Sequence, residues 1–224
     1  GEYLNGKRNG KGKEYFNNDK LKFEGDYLNG TRNGKGKEYN EKGVLIFEGE
    51  YKNGNEWNGK GYDDSKNIIY ELKEGKGYIK KYFNKDKLSC EYEYLNGIKN
   101  GRGKEYNIYY DTGNLIFEGE YINGVKHGKG KEYNYQKGDL VFEGEYLYNH
   151  KIKGKAYINK RVEYEGEYLY DKKYNGKGYD ENGNIIYELI NGNGKIKEYY
   201  DNGQLYFEGE YLNGKRNGKG KEYY

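Results

Sequence analysis

The sequence predicts an all-β fold, an elongated array of about ten stacked antiparallel β-hairpins forming a twisted single-layer ribbon or trough. Three observations predict it. A glycine-centred core, aromatic-Glu-Gly-acidic-Tyr, recurs around Gly25, Gly49, Gly119, Gly144, Gly166 and Gly209, and the chain opens midway through a copy at Gly1. Degenerate copies centre on Leu72, Tyr92 and Leu189, and the steps between centres run from 20 to 27 residues. Side-chain character within each copy alternates with a period of two, and paired glycines stand where a helix would need an apolar stripe.

The first strand of a repeat is clearest at residues 21–28, where Leu21, Phe23, Gly25 and Tyr27 alternate with Lys22, Glu24, Asp26 and Leu28. Asn29-Gly30 and Asn33-Gly34 mark the turn, with glycine available for positive φ. Residues 35–39 return as the second strand, and residues 40–43 lead into the next hairpin. Gly25 lies between Phe23 and Tyr27 on one strand face, and Gly34 and Gly36 share a face of the return strand. The missing side chains leave slots in which rings can lie on backbone. One hairpin alone is marginal in water, so neighbours must stack, giving an array roughly 95 Å long at ~4.8 Å per strand.

Composition explains how such a chain folds. Only 33% of its 224 residues are apolar, but 32 Tyr and 7 Phe supply rings that bury large areas while the phenol stays wet. Net charge is +3 from 40 basic and 37 acidic residues, a balance that argues against nucleic acid as partner. Cys90 is the single cysteine, which excludes an intrachain disulfide and fits a reducing, cytoplasmic compartment. No run reaches the length of a membrane-spanning helix, and no signal peptide is visible. An opening at Gly1, inside a repeat, suggests a fragment of a longer protein.

The segment Phe23-Glu24-Gly25-Asp26-Tyr27-Leu28-Asn29-Gly30-Thr31-Arg32-Asn33-Gly34-Lys35-Gly36 resembles the MORN repeat (membrane occupation and recognition nexus), whose pattern is Tyr-x-Gly-x4-Gly-x3-Gly-x-Gly. Phe117, Gly119, Gly124, Gly128 and Gly130 match its spacing, as do Phe207, Gly209, Gly214, Gly218 and Gly220. Phe47 and Gly49 follow it with a slight change, and Phe142 and Gly144 open a further copy in which Ala156 stands for a glycine. The repeats around Leu72, Tyr92 and Leu189 lack the central glycine. The resemblance implies a role in organising cytoskeletal or membrane-associated assemblies, at the cytoskeleton or the inner face of a membrane.

A longer period overlies the short one. Residues 57–72 are echoed by residues 174–189 at an offset of 117, so the array reads as a five-hairpin block used twice, approximately 1–117 and 118–224. In each block one hairpin, at residues 71–77 and 188–194, has lost most of its turn. Inherited duplication with a tolerated deletion explains this; a matched pair of bends that set the shape of the array is the alternative.

Catalytic residue types are scarce, with two serines, two threonines, one cysteine and two histidines. A Cys90–His127 or Cys90–His150 dyad is outweighed because Cys90 takes a slot that holds Phe or Tyr elsewhere, a packing position. His127 replaces a turn Asn, and no metal-ligand set accompanies it. Residues 6–13 fail as a phosphate loop, since the spacing is one short and Gly12 stands where Ser or Thr should bind magnesium. The chain is therefore read as non-enzymatic, with no catalytic residue, cofactor or metal.

Two repeated rows remain as candidate surfaces. Lys7, Arg8, Lys11 and Lys13 recur as Arg32, Lys35 and Lys37, as Lys99, Arg102 and Lys104, and as Lys215, Arg216, Lys219 and Lys221. As a stripe they could bind anionic phospholipid, at about 1 kcal/mol per nearby cation; parallel acidic rows such as Glu24/Asp26 and Glu48/Glu50 offer cross-strand pairing instead. Tyr27, Tyr51, Tyr94, Tyr121, Tyr146, Tyr168 and Tyr211 form an aromatic ladder. Packing accounts for most of it, and any unburied part makes a groove suited to a protein partner. Open sheet edges add self-association. The leading reading is a scaffold or adaptor with a long aromatic and charged face. An anionic-lipid tether is the alternative, and accessory repeats of an enzyme whose catalytic domain lies elsewhere are the third.

Overall fold

The computed structural model describes residues 1–84, 87–109, 113–200 and 202–224, and every regular element among them is a strand. The chain divides into two compact units, residues 1–113 with 122–124, and residues 114–121 with 125–224.

The first unit holds β1 (Tyr3–Leu4), β2 (Lys7–Arg8), β3 (Gly10–Tyr15), β4 (Leu21–Leu28), β5 (Thr31–Tyr39), β6 (Leu45–Lys52), β7 (Asn55–Tyr62), β8 (Ile68–Leu72), β9 (Gly77–Asn84), β10 (Lys87–Leu95) and β11 (Ile98–Tyr106). β1 pairs with β2, β3 to β8 pair in chain order, and β9 to β11 do the same. The second unit holds β12 (Leu115–Ile122), β13 (Val125–Tyr133), β14 (Leu140–Leu147), β15 (His150–Ile158), β16 (Arg161–Leu169), β17 (Lys172–Tyr179), β18 (Ile185–Leu189), β19 (Gly194–Tyr199), β20 (Leu205–Leu212) and β21 (Lys215–Glu222). There β12 to β18 pair in chain order, and β19 to β21 form a separate three-stranded sheet.

The β4–β5 hairpin shows how the sequence closes a repeat. Leu28 pairs with Thr31 across Asn29 (φ 50) and Gly30 (φ 91), a two-residue turn whose left-handed residues match the strand twist. Only the first Asn-Gly is therefore a turn. The second, Asn33-Gly34, lies inside β5 as a bulge, where Gly34 has φ 103 and the register slips between Gly25 and Tyr27. The Lys35 N–H donates to Asp26 Oδ2 at 3.0 Å, so the acid of the repeat core caps the bulge. Glu93 does this for Arg102 N–H at 2.9 Å, and Glu210 for Lys219 N–H at 3.4 Å.

The bulge asparagine has a second task. Asn33 Oδ1 accepts the Asn53 N–H at 3.1 Å, and Arg32 O accepts the Gly54 N–H at 2.8 Å. The turn of each hairpin is thus stitched to the one before it, as again at Asn213 N–H to Asn193 Oδ1 and Gly214 N–H to Gly192 O. Turn N–H groups that have no strand partner are satisfied in this way.

Register corrects two expectations. Ala156 pairs with Phe142, the position that Glu132 takes on β13, while Gly154 pairs with Gly144; what β15 lacks is the bulge glycine. The shortened hairpins keep their turns. Glu74 (φ 54) and Gly75 (φ 70) close a two-residue turn between Lys73 and Lys76, and Asn191-Gly192 does so between Ile190 and Asn193. The deleted segment is the bulge, and without it β8 and β9, like β18 and β19, part after a single bridge. The core continues across each break, through Leu72 and Ile79 in the first unit and Leu189 and Ile196 in the second.

That core is a column of rings lying on glycine. Phe23 and Phe47 are fully buried, and Phe23 meets Tyr27 and Tyr51 edge-on at 5.6 and 5.1 Å. A Cβ at Gly25 would sit 2.5 Å from Lys35 O, 2.7 Å from Gly36 Cα and 2.8 Å from Phe23 Cζ. One at Gly36 would sit 2.5 Å from Phe23 Cζ, and the pattern repeats under Phe117, Phe142 and Phe207 at Gly119, Gly130, Gly144, Gly209 and Gly220.

Gly25→Val is expected to destabilise the first unit by about 2–3 kcal/mol, because neither backbone nor ring can give way; an unchanged urea midpoint would refute the ring-on-glycine account. Asn33→Ala should cost about 1 kcal/mol through loss of the acceptor for Asn53 N–H, read as a lower midpoint of the same transition.

Candidate interaction surface

Two-residue alternation gives each sheet an inner face of Phe, Gly and Tyr and an outer face of Lys, Glu and a second set of tyrosines. The tyrosine ladder, expected from the sequence to serve mostly in packing with any unburied part left to a partner, lies on the inner one. Tyr27, Tyr51, Tyr121 and Tyr146 are buried, and Tyr168 and Tyr211 are half-buried. Tyr27 donates to Glu14 at 2.7 Å, Tyr51 to Glu38 at 3.1 Å and Tyr211 to Glu198 at 2.9 Å. These rings are structural, because each packs against the column: Tyr51 and Tyr146 lie between successive phenylalanines, and Tyr168 lies between Phe142 and Tyr164.

Half of the expected basic stripe also turns inward. The Arg32 guanidinium lies 3.9 Å above the Phe23 ring and bonds Glu14 at 2.7 Å and Glu38 at 3.1 Å. Arg216 repeats this over Phe207, with Glu198 and Glu222 at 2.7 and 2.6 Å. Lys99 stands 3.8 Å over Tyr92, Lys126 3.8 Å over Phe117, and Arg8 5.4 Å over Tyr27. The basic residue at the second position of the return strand is a polar roof on the ring column. Burial pushes the Glu14 carboxyl up, but hydrogen bonds from Arg32 and Tyr27 outweigh it and hold Glu14 below the usual range.

The outer face carries the remainder. Lys7, Lys35, Arg102 and Lys215 are exposed. Lys11 pairs with Asp26 at 2.6 Å, Lys13 with Glu24 at 3.4 Å and Lys37 with Glu48 at 3.1 Å. In the second unit Lys131 pairs with Glu143, Lys155 with Glu165 and Lys221 with Glu208. Such exposed pairs add little to stability, so their main effect is on surface potential. Sign alternates from strand to strand. In the first unit these rows wall a groove of about 790 Å³, floored by the bare backbone of Gly12, Gly25, Gly36 and Gly49.

Sequence reasoning missed the tyrosines that border this face. Tyr39 shares strand parity with Lys35 and Lys37 and donates to Glu24 at 2.9 Å; Tyr133 donates to Glu118 at 2.7 Å and Tyr223 to Glu208 at 2.8 Å. Beside the turns, Leu4, Leu28 and Leu95 are exposed in the first unit and Leu147, Leu169 and Leu212 in the second. The signal was parity. The tyrosine closing Lys-Glu-Tyr must face away from the one closing Glu-Gly-acidic-Tyr.

The nucleophile and metal candidates go elsewhere. Burial pushes the Cys90 thiol up, away from thiolate, and its sulfur lies 3.7 Å from Ser89 Oγ. His127 packs edge-on against Tyr148 at 5.8 Å, and His150 Nδ1 lies 2.6 Å from Asp171 Oδ2.

The inner phenols set an alkaline limit. Tyr27 is pushed up to about 12 by burial and then by the Glu14 carboxylate, and Tyr211 to about 12 by burial and its bond to Glu198. A phenol whose pKa is raised on folding holds its proton better folded than unfolded. Its contribution is complete below the ordinary value of about 10 and is lost as pH rises toward about 12. The urea midpoint should therefore hold from about pH 7 to 9 and fall between about pH 10 and 12. Phenolate absorbance should appear together with loss of the β signal; a midpoint unchanged at about pH 11.5 would contradict this.

Residues 1–20, 23–44, 93–107, 117–135 and 207–224 match the MORN repeat family. Comparison with curated proteins found no match. In the matched segments 23–44, 117–135 and 207–224 a phenylalanine ring lies on glycine, and the unmatched stretches include both shortened hairpins with their sheet breaks. The chain is a MORN-repeat protein.

Proposed function

We propose that the chain is a non-enzymatic scaffold that binds protein partners through its outer face, the Lys/Glu rows bordered by Tyr39 and its equivalents. The observation that carries this reading is the strand-by-strand alternation of sign, seen in Lys11–Asp26, Lys13–Glu24 and Lys37–Glu48. A surface neutralised at each step attracts a uniformly anionic membrane weakly, but it discriminates well between protein surfaces of complementary pattern. Tyrosines at its border supply contact area at low entropy cost. MORN repeats generally serve as protein- or membrane-interaction modules, and a cytoplasmic site at the cytoskeleton or a membrane's inner face follows from that analogy.

One observation favours anionic lipid as a second reading. The exposed Leu4 pairs with the exposed Lys7 across one turn, and Leu212 with Lys215 across another, so an aliphatic and a cationic group occur together at each.

Both readings are tested with one set of variants. Replacing Lys35, Lys37, Glu24 and Glu48 by Gln should leave the melting temperature within a few degrees, since exposed pairs contribute little. It should also abolish retention of proteins that the parent chain captures; retention equal to the parent's would sink the outer-face reading. Co-sedimentation should show no preference for anionic over neutral vesicles at physiological salt. A salt-sensitive preference that Lys7→Gln with Lys215→Gln removes would instead establish the lipid tether.

A further inference from the structure

Among the described turns that join the first and second strands of a repeat, most are Asn-Gly, as at Asn29-Gly30, Asn96-Gly97 and Asn213-Gly214. Two neighbouring tips in the second unit break this rule. The β14–β15 hairpin turns on Tyr148 (φ 50) and Asn149 (φ 72), and the β16–β17 hairpin on Tyr170 (φ 51) and Asp171 (φ 62). Left-handed backbone is disfavoured for a bulky side chain, and neither turn uses glycine to relieve it. Strain of this kind, concentrated on adjacent tips, is a pointer to use rather than to folding.

Both rings project into solvent. Tyr148 is 67% and Tyr170 77% exposed, with Leu147 and Leu169 partly exposed beside them. Each ring is braced by a histidine, His127 against Tyr148 and His150 against Tyr170, at centroid distances of 5.8 and 6.4 Å. Their exposure leaves both hydroxyls open to an acceptor on a partner. Between the tips lies a carboxylate. Asp171 Oδ2 is 2.6 Å from His150 Nδ1, and Asp171 Oδ1 accepts the Lys151 N–H at 2.7 Å, which ties Asp171 to the neighbouring hairpin.

The spacing of the tips narrows what could lie across them. β15 pairs with β16, so the two tips are two strands apart, about 10 Å at ~4.8 Å per strand. A polyproline II chain returns a side chain to the same face every three residues, about 9.3 Å. It also leaves its carbonyls unpaired, as acceptors for tyrosine hydroxyls, whereas a helix of similar two-turn repeat has its carbonyls engaged. Proline rings pack well on exposed aromatics. Asp171 adds charge selection, favouring one basic residue between the rings, while the exposed Lys172 next to it disfavours a second.

We propose that the ridge formed by Tyr148, Tyr170, Leu147, Leu169 and Asp171 docks a proline-rich partner segment in the polyproline II conformation that carries a single basic residue. The ridge is on the hairpin tips, outside the Lys/Glu rows, so this site stands or falls independently of the outer-face reading.

The test is fluorescence anisotropy with a labelled synthetic peptide bearing proline at every third position and one arginine. The control is a peptide of the same composition with its prolines gathered at one end. The quadruple variant Tyr148→Asn, Asn149→Gly, Tyr170→Asn, Asp171→Gly restores the Asn-Gly turn of the other hairpins. It relieves the left-handed tyrosines but removes the acceptors of the Lys126 and Lys151 N–H groups, so its melting temperature is measured first and binding is compared at a temperature where both proteins are folded. The parent should bind the patterned peptide about tenfold more tightly than the control, the quadruple variant should lose that preference, and Asp171→Asn should remove the preference for arginine over glutamine in the peptide. Equal binding by parent and quadruple variant, equal affinity for the two peptides, or no saturable binding by the parent at millimolar peptide would each overturn the proposal.

Discussion

The contact on which the structure depends is an aromatic ring laid across glycines on paired strands. Where Phe23 covers Gly25 and Gly36, a single sheet buries a large side chain completely without a second layer of structure. The ring is closed in by tyrosines on either side, edge-on, and by a guanidinium or ammonium above. This explains how a chain with so few aliphatic residues acquires a core. Each ring contributes the area that several small apolar residues would supply elsewhere, and glycine removes the steric cost of bringing ring and backbone together.

The same contact dictates what the charged residues can do. A cation over the ring must be paired, because it is partly withdrawn from water, and Glu14 and Glu38 meet that need for Arg32. The lysines on the opposite face have no such constraint and pair loosely across strands. Two chemically similar sets of residues thus serve different ends, one holding the ring column in place and the other setting the pattern of charge that a partner meets. The bulge makes this division workable, since it shifts register between the turn and the glycine pair. Where it is deleted, at Lys73–Lys76 and Ile190–Asn193, the strand ladder stops while the apolar core carries on.

Much of the fold was legible in the residues. Alternation at residues 21–28 predicted β4, Asn29-Gly30 predicted its turn, and the glycine slots predicted rings on backbone. The candidate surface was far less legible. Tyr27 and Tyr39 are the same residue type at the ends of similar strands, yet one is buried and the other borders the outer face. Arg32 and Lys35 are three residues apart in one basic cluster and point to opposite sides of the sheet. Two positions were misread because the bulge is invisible in a linear pattern. Asn33-Gly34 looked like a turn, and Ala156 looked like a lost glycine when it stands opposite Phe142.

The sequence by itself determined the repeating unit, its strand period, its turns and its family, because all of these are written in local chemistry: φ preference at Asn-Gly, and alternation along a strand. Only the tertiary structure decided which tyrosines and cations face inward, where the sheets break, and which hairpin tips carry strained, exposed rings. Those outcomes depend on register between strands, and register follows from the bulges and ring contacts that exist only once neighbouring repeats have stacked.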